Sequence, residues 1–248
     1  MNFQKEYDVN FYTVDMNLRA LPQLLVDFYT DCDLDFARFQ GVGVEELHKS
    51  GLTMMLQKRE ISFYKPIYLR DRIVAKPTIE GIKGSTLIRK STFESPEGEL
   101  LSTSRGLVHL VKVKDREKVQ VLEKIYKAYG IQESLDYEFI FHRIPVIEEV
   151  EYSKEFEVRY SDLDSNKHVN NSKYLTWALE TLPVEYMRDY FLEKVRIAYL
   201  REILYGDSVR VVAQRDSRKE RLVTIQEIRN SSGLLTTVLE CTFKKLNI

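Results

Sequence analysis

The same pattern of apolar and polar positions occurs in both halves of the chain. Residues 21–32 and 174–182 carry apolar side chains at helical spacing, and a short strand-like segment precedes each of them, at about 4–14 and 153–161. After each predicted helix come runs rich in β-branched and aromatic residues, separated by glycines. One helix followed by several neighbouring strands favours an α+β fold in which an antiparallel sheet wraps around the helix.

The two halves also align residue by residue, at two offsets. An offset of 149 superimposes three turn positions: Asp15 on Asp164, Asn17 on Asn166 and Arg19 on His168. An offset of 136 superimposes three later positions: Ile61 on Ile197, Phe63 on Tyr199 and Pro66 on Glu202. The first copy therefore contains extra chain between its two matches, which we expect in the stretch 41–52. A period this long indicates a duplicated domain, because solenoid repeats are much shorter.

The repeat predicts an N-terminal domain over residues 1–130, a linker over 131–150 and a C-terminal domain over 151–248. Each small sheet would bury limited area alone. We therefore expect the two copies to pack side by side as an intramolecular pseudo-dimer. In such an arrangement one copy can keep its catalytic residues while the other loses them.

Composition narrows the class of protein. The 37 basic and 38 acidic residues leave a net charge of -1, which gives no basic footprint for nucleic acid. The two cysteines, Cys32 and Cys241, fit neither a disulfide framework nor a metal site, and they suit a reducing compartment. No apolar run is long enough to insert into a membrane, and the N-terminus reads as neither a signal nor a transit peptide. We expect a soluble cytoplasmic protein without a metal or other cofactor.

Asp164, Asn166 and His168 form the most suggestive cluster in the sequence. An Asp-x-Asn segment is also ordinary turn chemistry, because both side chains bond to nearby backbone. Asp15 and Asn17 repeat that segment without a histidine, which supports a structural role for the first two residues. The position of the cluster favours a functional role as well, because the start of a helix stabilises negative charge, such as that of an oxyanion.

Glu202 is the second suggestive residue. In the predicted strand that contains it, side-chain alternation places Glu202 on an otherwise apolar face with Leu200 and Leu204. Burial there would raise the pKa of its carboxyl toward values useful for a general base. The alternative is an edge-strand glutamate that pairs with Lys194 or Arg201. The first copy carries neither a histidine nor a glutamate at the matching positions.

The run DLDSNKHVNNSKY (162–174), with a later strand reading YLRE (199–202), resembles the acyl-acyl carrier protein thioesterases of plants and bacteria. The resemblance covers essentially the whole chain and implies a double hot-dog fold with its active site in the C-terminal repeat. It implies a catalytic network of Asp164, Asn166, His168 and Glu202. Plant members usually carry a cysteine after the glutamate, but this chain has Ile203, which excludes a cysteine nucleophile at that position.

We hypothesise a mechanism consistent with this network. Glu202 or His168 takes a proton from an attacking water, Asn166 positions the water or the base, and Asp164 supports the turn. We favour Glu202 as the base and His168 as the donor to the leaving thiolate or the oxyanion. Direct attack by Glu202 to give an anhydride stays open. Three backbone N–H groups would hold the oxyanion: those of Val169, Asn170 and Asn171. The acyl chain would lie in a tunnel mainly in the first copy, with five candidate lining residues: Leu25, Phe28, Met54, Met55 and Phe63.

The implied partner is an acidic acyl carrier protein, for which the segments 112–118 and 214–222 offer local positive charge. Three other functions stay open at this point: an acyl-CoA thioesterase, a hot-dog hydratase acting on an acyl thioester, and a non-catalytic sensor of acyl thioesters. A sensor of this type carries a DNA-binding segment, and the sequence shows none. The resemblance fits a bacterial cytoplasm and a role in ending fatty-acid synthesis, and it leaves further pairing into a homodimer open.

Overall fold

The structure is a computed structural model that describes residues 3–131 and 140–246. The described residues form two compact units, each built from separate parts of the sequence. The first unit comprises 3–9, 28–61, 70–131 and 140–141, and the second comprises 10–27, 62–69 and 142–246. Residues 132–139 of the predicted linker lie outside the described part of the chain.

Within the described residues, the first copy contains five strands and three α-helices. In chain order they are β1 (Lys5–Asp8), α1 (Pro22–Phe39), α2 (Val44–Lys49), β2 (Leu52–Phe63), β3 (Arg72–Lys83), β4 (Thr86–Glu94), β5 (Leu100–Lys112) and α3 (Glu123–Ala128). The strand order is β1-β3-β4-β5-β2. Helix α1 covers this sheet, and its Tyr29 ring stacks on Phe93 of β4 with centroids 3.7 Å apart.

The second copy repeats this order from its first strand to its last, and within the described residues α3 has no counterpart in it. Its elements are β6 (Tyr152–Glu157), α4 (Asn171–Glu180), α5 (Val184–Asp189), β7 (Tyr190–Tyr199), β8 (Ser208–Arg215), β9 (Leu222–Asn230) and β10 (Leu235–Lys245). The strand order is β6-β8-β9-β10-β7, which matches the first copy strand for strand. Helix α4 packs on β8, β9 and β10 through buried side chains that include Tyr174, Leu175 and Trp177. The predicted α+β class and the duplication are confirmed.

Local contacts reproduce the repeat in detail. The bridge between Arg19 and Tyr68 in the first copy corresponds to the bridge between His168 and Leu204 in the second. Pro22 opens α1, because its fixed φ suits a first helical turn. At the start of α4 the side chain of Asn170 caps the helix by accepting a hydrogen bond from the Ser172 N–H, 3.2 Å away.

Two predicted features of the chain path are wrong. The initial strands are shorter than predicted, because each gives way to a 3-10 turn, at Phe11–Thr13 and Tyr160–Asp162. The extra chain of the first copy is not concentrated at 41–52, since α2 there has a counterpart in α5. Most of it lengthens the main helix instead: α1 has 18 residues and α4 has 10.

Candidate active site

The Asp-x-Asn turn has the same backbone in both copies. Asp164 Oδ1 accepts the N–H groups of Asn166 at 2.8 Å and His168 at 3.3 Å. In the first copy, Asp15 Oδ1 accepts those of Asn17 and Arg19 at 2.8 and 2.9 Å. Lys167 and Leu18, at matching positions, both have positive φ, of 65° and 60°. Asp164 therefore shapes the turn that presents residue 168, as its counterpart presents residue 19.

The turn brings His168 and Glu202 together. His168 Nε2 lies 3.1 Å from Glu202 Oε2, within hydrogen-bonding distance. The backbone fixes this contact, because His168 forms a bridge with Leu204 and the Val169 N–H donates to the Ile203 carbonyl at 2.9 Å. The two side chains are 20% and 43% exposed, so water can reach the pair. Imidazole and carboxylate at this distance can accept, hold and pass on a proton.

Glu202 does not lie on a buried strand face. Strand β7 ends at Tyr199, where the next two N–H groups, of Leu200 and Arg201, both donate to the Thr236 carbonyl, at 2.8 and 3.1 Å. Sharing one acceptor interrupts the regular ladder, so the side-chain alternation assumed from the sequence stops there. Leu200 and Leu204 are 48% and 54% exposed, and the predicted apolar face is wrong. Glu202 thus reaches His168 from a connection beyond the strand.

The remaining predicted site groups are the Asn166 side chain and the three backbone N–H groups expected to hold an oxyanion. Asn166 is exposed, and its Nδ2 lies 3.4 Å from Asp164 Oδ2. The Val169 and Asn170 N–H groups already donate to backbone carbonyls, of Ile203 at 2.9 Å and Asp162 at 2.8 Å. Their predicted role in holding an oxyanion is therefore wrong. The Asn171 N–H, in the first turn of α4, has no hydrogen-bond partner among the described residues and stays the candidate of the three.

Two tyrosines that were not predicted as site residues, Tyr174 and Tyr199, pack next to the start of α4. Tyr199 donates its hydroxyl to the Asn171 carbonyl at 3.2 Å, and its ring meets that of Tyr174 edge-on, with centroids 5.5 Å apart. Burial, followed by the neighbouring Tyr199, raises the pKa of Tyr174, while a backbone hydrogen bond from Ile203 opposes this shift. Tyr174 therefore stays a neutral phenol beneath Ile203. Both tyrosines counted only as apolar positions in the sequence pattern.

Asp162 is a third supporting residue. Its fully buried carboxylate accepts hydrogen bonds from the Arg159 N–H at 2.9 Å and from the Arg159 guanidinium at 3.0 and 3.2 Å. Lys173 Nζ of α4 lies 3.7 Å away. Since the Asp162 carbonyl also accepts the Asn170 N–H, this residue joins the chain before the turn to the start of α4.

In the first copy, Arg19 replaces the histidine and serves a structural purpose. Its side chain, 7% exposed overall, donates to the carbonyls of Met187 and of Tyr190, the latter at 2.9 Å, and pairs with Asp15 at 2.8 Å. Asn17 Nδ2 lies 3.2 Å from the Arg188 carbonyl. The degenerate turn therefore caps the C-terminal end of α5, where carbonyl groups lack partners within the helix.

Replacing Arg19 with methionine is expected to lower the free energy of unfolding by about 1–3 kcal/mol, because buried carbonyls and the Asp15 carboxylate lose their partner. Amide hydrogen exchange in α5 should quicken most. Arg188→Met, an exposed position on α5 itself, is the control and should leave the free energy of unfolding close to that of the wild type. Equal exchange in α5 for wild type and Arg19→Met would show that the cap does not stabilise this helix.

The five predicted tunnel residues lie in different places. Leu25 and Phe63 line a cavity of about 180 Å³ in the second unit. In the first unit, the ring of Phe28 stacks on Tyr7 with centroids 4.1 Å apart. Met54 packs against a core cluster that includes Leu47 and Ile82, and Met55 is half-buried on β2. The assignment of these five residues to one acyl tunnel stays a prediction.

Neither cysteine has the environment of a nucleophile. Cys32 and Cys241 are both buried and free. Burial raises the pKa of the Cys32 thiol to about 12, and burial also raises the pKa of Cys241. Both groups are therefore held as neutral thiols, which are poor nucleophiles.

The described side chains and helices also bear on metal binding and membrane insertion. Within residues 3–131 and 140–246, no group of three or more His, Cys, Asp or Glu side chains is arranged to hold a metal ion. The helices in the same ranges are all too short or too polar to cross a membrane.

Comparison with known proteins places this geometry in context. The model of the acyl-ACP thioesterase N-terminal domain matches residues 1–129, and that of the C-terminal domain matches residues 146–245. An acyl-[acyl-carrier-protein] hydrolase of Cuphea viscosissima is 21% identical over 217 residues, covering 81% of this chain and 52% of that protein. The chain thus spans about half of the length of this curated relative.

Solved structures agree over nearly the whole chain. An acyl-ACP thioesterase from Bacteroides thetaiotaomicron has a TM-score of 0.86 at 18% identity, covering 98% of this chain and 97% of that one. A 12:0-ACP thioesterase from Umbellularia californica has a TM-score of 0.84 at 18% identity, with coverages of 98% and 94%. At this identity the likeness concerns the fold, and it confirms the tandem hot-dog fold predicted from the sequence.

Proposed function

Because the chain belongs to the acyl-ACP thioesterase family, we propose that it hydrolyses acyl-acyl carrier protein to a free fatty acid and holo-carrier protein. The observation that carries the proposal is the contact of 3.1 Å between His168 and Glu202, two residues that the first copy replaces with Arg19 and Pro66. A duplicated fold that retains a proton-transfer pair in only one copy is typical of a single active site. In this reading the enzyme ends a round of fatty-acid synthesis.

The mechanism uses the pair with water. Glu202 accepts a proton as a water oxygen attacks the thioester carbon, and the carbonyl oxygen becomes an oxyanion next to the start of α4. The Asn171 N–H is the donor that the backbone leaves for this oxyanion. The tetrahedral intermediate then collapses and breaks the carbon–sulfur bond. The proton passes from Glu202 through His168 to the sulfur, so that water supplies both the hydroxyl of the acid and the hydrogen of the thiol.

A carrier protein would have to meet positive charge on this chain. Part of the two predicted basic segments is neutralised internally, because Lys112 pairs with Glu117 and Arg218 pairs with Asp216. Arg221 also pairs with Glu193. The docking surface is therefore narrower than the sequence suggests, and within 214–222 it comprises Arg215 and Lys219. Such rim charges mainly raise the association rate. The two buried free thiols support a reducing setting such as a bacterial cytoplasm, where we place the reaction.

Thiol release from matched carrier-protein and CoA thioesters of medium and long chain length tests the proposal. We expect turnover of the carrier-protein thioesters at a higher kcat/KM than that of the CoA thioesters. Glu202→Gln and His168→Ala should lose this turnover. Their matched controls at exposed positions, Glu155→Gln and His142→Ala, should keep wild-type turnover. Absence of thiol release from every thioester would contradict hydrolysis. It would favour the hydratase or the sensor, neither of which cleaves the thioester.

A further inference from the structure

A second cavity system lies far from the His168–Glu202 pair. The cavity of about 180 Å³ is walled mainly by apolar side chains, among them Leu21, Leu25, Phe63, Leu179, Met187 and Leu192. All of its lining residues belong to the second unit. A dry protein cavity of about 150 Å³ can hold a benzene ring. This one is therefore large enough for a stretch of alkyl chain.

A basic groove adjoins this cavity. The groove, of about 370 Å³, shares three wall residues with the cavity: Tyr186, Tyr190 and Phe243. Its other lining residues include four cations and one carboxylate: Arg215, Arg221, Lys244, Lys245 and Glu220. This local excess of positive charge contrasts with the net charge of -1 for the whole chain.

Most of these cations are available to an anion. Arg221 pairs with Glu193. Within the described residues, Arg215, Lys244 and Lys245 form no ion pair, although Lys245 lies close enough to Asp189 for its charge to lower the pKa of that carboxyl. The groove therefore attracts anionic groups, and the apolar cavity beside it suits a chain attached to such a group.

The cavity corresponds to the active site of the other copy. Asp15, Arg19 and Pro66 line it, and they occupy the positions that Asp164, His168 and Glu202 hold in the second copy. Arg19 donates to Asp15, Met187 and Tyr190. Its guanidinium is thus already engaged, and the groove is the better place for an anionic head. The first copy has lost the proton-transfer pair and kept a ligand-sized space.

The cavity system and the catalytic pair lie at opposite ends of β7. Tyr190, shared by cavity and groove, is the first residue of this strand, and Glu202 follows its last residue, Tyr199. Nine steps at ~3.3 Å per residue separate the two ends by about 30 Å. A ligand in the cavity would therefore not touch His168 or Glu202.

We propose that this cavity and its basic groove form a second binding site for an alkyl chain with an anionic head, such as a medium-chain fatty acid. The chain fills the cavity beneath α5, and the head lies among Arg215, Lys244 and Lys245. Two molecules share this chemistry: a free fatty acid and an acylated phosphopantetheine, whose phosphate provides the charge. The proposal does not rest on the proposed function, because it requires binding and no turnover.

Titration calorimetry with decanoate, 1-decanol and S-decyl phosphopantetheine, a thioether that cannot be hydrolysed, tests the site. Decanoate should bind more tightly than the neutral alcohol. Lys244→Glu with Lys245→Glu should weaken decanoate binding about tenfold and leave 1-decanol unchanged. The control pair, Lys114→Glu with Lys127→Glu, is exposed in the first unit and should keep wild-type affinity. If the thioether shows this dependence and decanoate does not, the phosphate is the head.

A cavity-filling variant tests the chain-binding part. Leu21→Trp places a larger side chain at a half-buried position of the wall and should weaken both decanoate and 1-decanol at least tenfold. If this variant fails to fold, the surface lysine pair still decides the matter. Glu202→Gln with His168→Ala should leave decanoate binding intact, which separates this site from product held at the catalytic pair. Equal decanoate affinity in wild type, the lysine variant and Leu21→Trp would overturn the proposal.

Discussion

Replacing Glu202 with glutamine is expected to lower kcat for thioester hydrolysis by about 100- to 10,000-fold, the usual contribution of a positioned acid or base. Glutamine keeps the size of the side chain and can still accept a hydrogen bond from His168 Nε2, which lies 3.1 Å from the carboxylate in the wild type. It cannot take a proton from water. Single-turnover thiol release from a saturating carrier-protein thioester measures the chemical step directly.

The same variant should bind substrate normally, because Glu202 lies in an exposed connection beyond β7 and does not support the core. We therefore expect little change in thermal stability and in the affinity for a thioether analogue of the substrate. A glutamine variant that keeps more than about a tenth of the wild-type kcat would contradict a base role for Glu202. A loss of binding without a loss of kcat would assign this residue to substrate recognition.

Asp162→Ala is expected to lower the free energy of unfolding by about 2–4 kcal/mol, because it removes the buried acceptor of the Arg159 N–H and leaves Lys173 without its partner. The loss should also reduce turnover, since Asp162 joins the chain before the catalytic turn to the start of α4. Urea denaturation measures the stability. Glu46→Ala, which breaks an exposed ion pair with Lys49, is the control and should leave the free energy of unfolding close to that of the wild type.

The contribution of Asp162 should depend on pH in a defined direction. Burial alone would raise the pKa of its carboxyl, but the hydrogen bonds from Arg159 and the charges of Arg159 and Lys173 outweigh burial and hold the pKa below its usual value. A lowered pKa in the folded state stabilises the fold above the unfolded pKa of about 3.9, and this stability disappears as pH falls through the folded value. The stability difference between wild type and Asp162→Asn should therefore shrink below about pH 4. A constant difference down to pH 2 would show that charge plays no part.

Local sequence patterns predicted the duplication, the Asp-x-Asn turn and the main helix of each copy, because these features depend on neighbouring residues. The alignment of Arg19 with His168 has a direct structural counterpart, since both residues form the same kind of bridge, to Tyr68 and to Leu204. The base role of Glu202, inferred from its identity and its absence from the first copy, stays a prediction.

Features that depend on long-range packing escaped the sequence. Strand β7 ends where the carbonyl of Thr236 accepts the N–H groups of both Leu200 and Arg201, the two residues that follow the strand. No local sequence pattern indicates this shared acceptor. From the sequence, the N–H groups of Val169 and Asn170 were expected to be free at the start of the helix. In the structure they donate to the carbonyls of Ile203 and Asp162. The cap of α5 joins Arg19 to Met187 and Tyr190, which lie 168 and 171 positions further along the chain.

The two copies show how a duplicated fold can divide its roles. In the second copy the turn presents His168 to Glu202, and in the first the same turn presents Arg19 to the end of α5. The exchange of a histidine for an arginine replaces a proton carrier with a permanent cation that suits helix carbonyls. The space beside Arg19, lined by residues of both copies, remains open as a cavity.

The central claim is that His168 and Glu202 act as one catalytic unit in thioester hydrolysis. A double-mutant cycle on kcat for a carrier-protein thioester, with His168→Ala, Glu202→Gln and the double variant, measures this most directly. Members of one unit are strongly non-additive, so each single variant should lose nearly as much activity as the double variant. Losses that multiply in the double variant, or turnover that survives in all three, would contradict the claim.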